Sequence, residues 1–347
     1  MTQQTSHSEA FIAGLKRIGS ELELVEQHIR EQFGSESELI PLLGDHVLSS
    51  GGKRIRPALV LWAAELCGYT GPRSIHVAAA IELMHTASLL HDDVVDISEL
   101  RRGRPSANAL WGNRRAVLAG DFFYARASSI VTEDGNADIL NSFVNAILCM
   151  SEGELLQLQR SYDANVTEAH YFSVIEHKSA VLLSASCETG SILGGVTRTE
   201  QRKLAEFGRE LGIAFQLRDD VLDYEAGEEE LGKRPYTDLR EGKVTLPLLL
   251  TLKRCAPAER ETITSLLKTA GRLSELDPTW SDAGTAEEAL DVTPVVELID
   301  RYNGVTDTLR RAEQHVQRAE SAIRPFPDCR AKQDMLAAVR YSAYRDR

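Results

Sequence analysis

VAAAIELMHTASLLHDDVVDISEL (residues 77–100) carries apolar residues at helical spacing and stops at Arg-Arg-Gly-Arg-Pro. The same pattern returns at 137–160, 168–194, 200–223 and 244–254. No proline falls between Pro105 and Pro235. Proline inside a helix costs roughly 3 kcal/mol, so a gap of that length predicts one helix after another. Val/Ile/Thr alternation bounded by Asn-Gly turns is missing, which argues against sheets. The expected fold class is all-α, in one domain spanning 1–347, with residues 1–33 as a helical N-terminal arm. Two stretches read as long loops: 225–240, first acidic and then basic, and 271–294, a surface insertion or mobile connection.

Composition narrows the function. Of 347 residues, 43% are hydrophobic, enough for a packed core. The formal net charge of −13 disfavours nucleic acid as a partner. No apolar run approaches the length of a membrane span, and the N-terminal stretch lacks a signal-peptide core, so the expectation is a cytoplasmic chain without a membrane anchor. Cysteines 67, 149, 187, 255 and 329 have neither metal nor redox spacing and read as scattered residues in a reducing compartment.

The helix of the opening stretch ends in Asp92-Asp-Val-Val-Asp96, and a near copy, Asp219-Asp-Val-Leu-Asp223, ends the segment 200–223. Residues i and i+4 share a helix face, so Asp92 projects with Asp96, and Asp219 with Asp223. Both pairs follow apolar text, which puts like charges at the rim of something buried. A divalent cation relieves that repulsion. Carboxylate oxygens suit Mg2+, which keeps some waters and shares its other positions with phosphate oxygens. The alternative is two acidic faces in solvent. Basic residues supply the matching hint: Gly51-Gly52-Lys53-Arg54-Ile55-Arg56 sets cations beside glycines, and Arg101-Arg102-Gly103-Arg104 follows the first motif. Guanidinium forks bind phosphate bidentately, although Arg101 and Arg102 would also complement a helix C-terminus.

Taken together, GGKRIRP, LLHDDVVDISELRRGRP, Gly153-Glu154 with Gln157, His177-Lys178-Ser179, FQLRDDVLDY and the run Leu231 to Pro247 resemble the trans-isoprenyl (polyprenyl) diphosphate synthases, in order from about residue 45 to 250. The terminal Tyr344-Arg345-Asp346-Arg347 looks like the bacterial long-chain, octaprenyl-type members. The resemblance implies an isoprenoid synthase helical bundle around a central cavity, usually a homodimer. It implies head-to-tail condensation of isopentenyl diphosphate with an allylic diphosphate, with three Mg2+ per site and Mn2+ able to substitute. Residue by residue, it implies Asp92 and Asp96 on Mg2+ at the allylic diphosphate, and Asp219 with Asp223 holding the remaining metal. Arg101, Lys178, Lys233 and Lys243 would contact the allylic diphosphate, and Lys53, Arg56, His85 and Arg102 would form the isopentenyl diphosphate pocket. Ser179 stands where the family often has Thr, and Gln216 would lend its dipole to the cation. The usual Gly-Lys-x-x-Gly-Asp-Asp-Leu loop here loses one glycine and one acid.

Residues upstream of Asp92 on the same helix should line the cavity wall: Ser88, Ala87, Met84 and Ile81. Short-chain members carry an aromatic residue four or five positions before the first Asp; Ser88 and Ala87 are small. That favours a product of about C30–C50, octaprenyl (C40) centrally, of the kind used for quinone side chains and released beside a membrane by peripheral association. Phe122, Phe123, Tyr124 and Met150 are candidates for the floor. The alternatives are a short-chain (farnesyl or geranylgeranyl) synthase, a class I terpene cyclase and an inactive partner subunit. A di-iron site would need a second Glu-x-x-His beside Glu82-x-x-His85, and none is found.

Overall fold

The computed structural model describes residues 2–225, 236–276 and 290–345. Seventeen helices among the described residues build one bundle. They begin with α1 (Thr2–Arg17), α2 (Gly19–Glu31), α3 (Leu39–Ser49), α4 (Ile55–Leu66) and α5 (Arg73–Val95). Helix α5 is the opening stretch of the sequence. Its apolar residues run right round the helix, and from Val77 to Met84 every side chain is buried, as expected of a helix wrapped by others. Helices α2, α4 and the later α7 and α10 enclose it. The expected arm, 1–33, forms α1 and α2, which lie against the bundle. Phe11 stacks on Tyr341 at 4.4 Å and meets Trp62 edge-on, and Arg17 bridges Glu65 at 2.8 Å and Asp334 at 2.6 Å.

Helix α5 stops at Val95, short of the residue 100 suggested by the pattern, because Ile97 turns into the left-handed region (φ 53°). A two-stranded hairpin follows, β1 (Leu100–Arg101) against β2 (Arg104–Pro105), turning through Arg102 and Gly103, both with positive φ. Then come α6 (Ala107–Trp111), α7 (Asn113–Asp134), α8 (Ala137–Gln159) and α9 (Glu168–Ile175). Asn136 starts α8 by accepting the amides of Asp138 (2.9 Å) and Ile139 (3.3 Å). A π-helical turn, Glu176–Ala180, joins α9 to α10 (Val181–Leu193), so the segment read as one helix over 168–194 has an extra residue wedged into it.

Helix α11 (Arg198–Glu225) carries the second Asp motif. It closes on α10 because Gly208 and Gly212 leave no side chain there: a Cβ at Gly208 would stand 2.3 Å from the Leu183 carbonyl oxygen. After it come α12 (Thr237–Arg240), α13 (Leu246–Leu252), α14 (Pro257–Leu276), α15 (Thr293–Arg301), α16 (Gly304–Ile323) and α17 (Arg330–Tyr344). The stretch expected as an insertion, 271–294, thus begins inside α14 and ends inside α15, with 277–289 outside the described residues. Between α11 and α16 a buried pair, His315 Nδ1 and Glu210 Oε2 at 2.5 Å, ties the two helices.

Candidate active site

The Asp-bearing ends of α5 and α11 stand on either side of a cavity of about 380 Å³. From α5 it is lined by His85, Ser88, Leu89, His91 and Asp92; His85, Ser88, Leu89 and Asp92 trace one helical face, and His91 joins them from its flank near the helix end. Burial, opposed by Lys178, pushes the Asp92 carboxyl up to about 7. Asp96 caps the end of α5 and lies 3.8 Å from the Lys243 ammonium. Asp93 turns the other way, is 2% exposed, and is held by Arg101 at 2.6 Å, so the Arg101 side chain lines the cavity while tied to a carboxylate.

From α11 come Phe215, Gln216 and Asp219. Asp219 is paired with the guanidinium of Arg345, which lies over the Phe215 ring, 3.7 Å from its centre. The structure parts Asp223 from Asp219. Asp223 sits one turn beyond the cavity rim, where its carboxylate accepts the amides of Thr237 (3.1 Å) and Asp238 (3.0 Å) at the start of α12, so it does not line the cavity. Asp220, the middle acid of the motif, instead faces a second, smaller cavity of about 140 Å³. Burial and the neighbouring Asp238 push its carboxyl up to about 8.

The wall shared by the two cavities is Lys178, Ser179 and Gln216. The π-turn sets Lys178 there, and Gly153 of α8 lets the turn come close: a Cβ would meet the Lys178 amide nitrogen at 2.7 Å. Lys178 Nζ pairs with Glu154 at 2.6 Å. Lys243 lies on the smaller cavity, paired with Glu241 at 2.6 Å; burial works against its charge, but Glu241, Asp96 and Asp238 outweigh it and raise the ammonium's pKa.

A recess of about 450 Å³ opens beside the main cavity and shares Arg56, His85 and Phe215 with it. Lys53 and Arg102 line it too, so all four residues expected for isopentenyl diphosphate meet here. Gly52, at φ 140°, makes room for Arg102: a Cβ would come 2.7 Å from Nη1. Burial, with Arg56 and Arg102 close by, drives the His85 imidazole well below its usual range and leaves it neutral. Arg56 lines the recess, and its Nε is buried with no hydrogen-bond partner among the described residues.

Of the residues expected to set product length, Ser88 lines the cavity. Ala87 and Met84 are fully buried and do not: at their depth the cavity meets α5 through 85 and 88, and their flank reaches it only at His91, one turn further on. Among the floor candidates Tyr124 and Met150 line the cavity, whereas Phe123 packs on Phe33 at 5.4 Å. Lys233 lies outside the described residues. Sequence reasoning assigned no role to Glu154, Asp220, Asp238, Glu241 or Arg345. Each lies inside one of the motifs above, but only the packing tells which way its side chain points.

A helical bundle with two acidic helix ends facing across a base-lined cavity defines a class, and comparison with known proteins agrees. Residues 37–277 match the family model for polyprenyl synthetase. The chain belongs to that family and is a prenyltransferase, a trans-prenyl diphosphate synthase. It is 39% identical over 319 residues to octaprenyl diphosphate synthase of Escherichia coli K12, covering 92% of this chain and 94% of that one. The crystal structure of polyprenyl synthase from Caulobacter crescentus CB15, complexed with calcium and isoprenyl diphosphate, has a TM-score of 0.87 at 35% identity over 97% and 98% of the two chains. A decaprenyl diphosphate synthase structure from Rhodobacter capsulatus scores 0.87 at 36% identity, over 97% of this chain and 99% of that chain.

Proposed function

We propose that the chain is a long-chain all-trans polyprenyl diphosphate synthase that elongates an allylic diphosphate with isopentenyl diphosphate to about C40. The reading rests on one observation: Asp92 and Asp219 face each other over a cavity whose α5 wall carries the small Ser88 where an aromatic plug would stop growth. The similar octaprenyl and decaprenyl enzymes support the length. No cluster of three His, Cys, Asp or Glu side chains among the described residues is arranged to hold a metal alone. The all-oxygen donors Asp92 and Asp219 on the cavity, with Asp96 and Asp223 one turn beyond them, fit Mg2+ that completes its shell with diphosphate oxygens and water. When bound, Mg2+ neutralises the leaving pyrophosphate.

The chain's own residues do the rest. Lys178, Arg101 and Lys243 add positive charge beside the allylic diphosphate. Lys53, Arg56 and Arg102 hold the second diphosphate, with the neutral His85 able to donate one hydrogen bond. Gln216 presents its amide dipole to the allylic cation. The apolar wall of Leu89, Leu182, Leu183 and Met150 keeps water off it. No helix among the described residues is long and apolar enough to cross a membrane. We read the chain as a cytoplasmic homodimer that touches a membrane peripherally when it hands over its product, in a route to quinone side chains.

The test is radiolabelled isopentenyl diphosphate with farnesyl diphosphate and Mg2+, followed by dephosphorylation and chromatography of the prenols. Products centred on about C40 are expected. Chelation of the metal, Asp92→Ala and Asp219→Ala should each lower kcat by about 100-fold or more. No elongation by the parent protein, or near-normal turnover in either variant, would sink the reading.

A further inference from the structure

From Ser179 and Gln216 in the wall of the main cavity a hydrogen-bonded chain runs back to Asp220 and Tyr171, two residues given no part in the proposed chemistry. The Tyr171 phenol, 5% exposed on α9, donates to Asp220 Oδ2. Asp220 Oδ1 accepts from Gln216 Nε2 at 3.0 Å, and Gln216 Oε1 accepts from Ser179 Oγ at 2.8 Å. An amide has two faces of opposite polarity, and its neighbours decide which one points where. An acceptor at Asp220 Oδ1 attracts the NH2 end of Gln216, which leaves the carbonyl oxygen beside Ser179, and both side chains line the substrate cavity.

We propose that Tyr171 is a positioning residue: by holding Asp220 it fixes Gln216 with the negative end of its amide toward the place where the allylic cation forms. The inference rests on the synthase reading above. Without the phenol hydroxyl, Asp220 is free to turn, and the amide loses the partner that sets its orientation. A flipped amide would aim an N–H dipole at a cation, which raises the barrier to ionisation and leaves ground-state binding of both diphosphates alone.

Tyr171→Phe deletes only the hydroxyl and keeps the ring that packs on Phe172. With farnesyl and isopentenyl diphosphates it should lower kcat about tenfold, the scale of one hydrogen bond felt only in the transition state. Both KM values should stay within about twofold of the parent. In a Gln216→Met background, where no amide remains to be oriented, the same substitution should change kcat by less than about twofold. Asp220→Asn, which can offer an N–H to the amide, should show the same kcat-only loss should Tyr171→Phe fail to fold by circular dichroism. The proposal is overturned by a kcat within about twofold of the parent in Tyr171→Phe (or in Asp220→Asn, where that stands in), by a rise in KM at unchanged kcat, or by an undiminished tenfold loss in the Gln216→Met background. A parent protein that does not elongate at all defeats the synthase reading itself, so the two failures are distinct.

Discussion

Ser88 is the residue at which chemistry and packing separate most clearly. Its side chain lines the cavity one turn from Asp92, with its hydroxyl turned back to the His85 carbonyl at 2.9 Å. A ring placed there would stand in the path of the chain, so Ser88→Phe should shorten the product to about C15–C20 by chromatography of the prenols, while an unchanged product would show that the chain runs elsewhere. Ala87 is an equal candidate on sequence grounds. The pattern of apolar residues on α5 has no gap on either side, so it carries no phase, and only the packed structure shows that the cavity face passes through 85, 88 and 92. Asp92 and Asp219 are readable because an acidic triplet straight after apolar text sets repelling carboxylates at a buried edge, where they need a counter-charge. The fate of Asp223 is not readable: capping α12 requires knowing where residues 237 and 238 return in space.

At the scale of elements, long helices are the most legible feature, since the absence of proline and the apolar period both report on the local chain. Helix α8 falls within one residue of its expected span, 137–160. The π-turn at 176–180 and the hairpin at 100–105 are hidden, because the first is imposed by how α8 and α11 press on Lys178 and Ala180, and the second is two residues per strand. The join between α11 and α16 gives a test of stability apart from catalysis. Glu210 is 1% exposed and its carboxyl titrates low: burial alone would raise it, but the bond to His315 and the charge of Arg209 outweigh that. His315→Ala leaves an acceptor with one partner fewer in a buried joint. It should lower unfolding free energy by about 1–3 kcal/mol in urea titrations, with kcat of the folded protein unchanged. An unmoved midpoint would mean the pair contributes nothing.

For the molecule as a whole, the surface of α7 and α8 stands out. Leu118 is 67% exposed, Leu148 57%, Leu155 61% and Leu158 54%, and Val144, Leu148, Leu155 and Leu158 share one side of α8. Such a patch is costly in water and suits a second copy. In the homodimer proposed above, two copies that each carry −13 repel one another, so the apolar contact has to outweigh that, and added salt should tighten the pair. Leu148→Arg together with Leu155→Arg should halve the mass seen by sedimentation; a parent protein that already sediments as a monomer would remove the dimer. Composition could not point to this face, because an exposed leucine and a core leucine look alike in a helical pattern.

The middle of helix α5, Val77 to Met84, has no solvent side, and that limits how the enzyme can be re-engineered. On the long-chain reading proposed above, the rod that gauges the lipid is also the keystone of the bundle. Trimming Met84 or Ala87 to widen the bore would hollow out the very packing that keeps the bore in place, whereas Ser88 and Leu89 face open space and can be changed at little cost to folding. Designers seeking a different polymer length therefore have a narrow dial, a few positions on one stripe of one helix, and turning any neighbouring position loses stability before it changes the product.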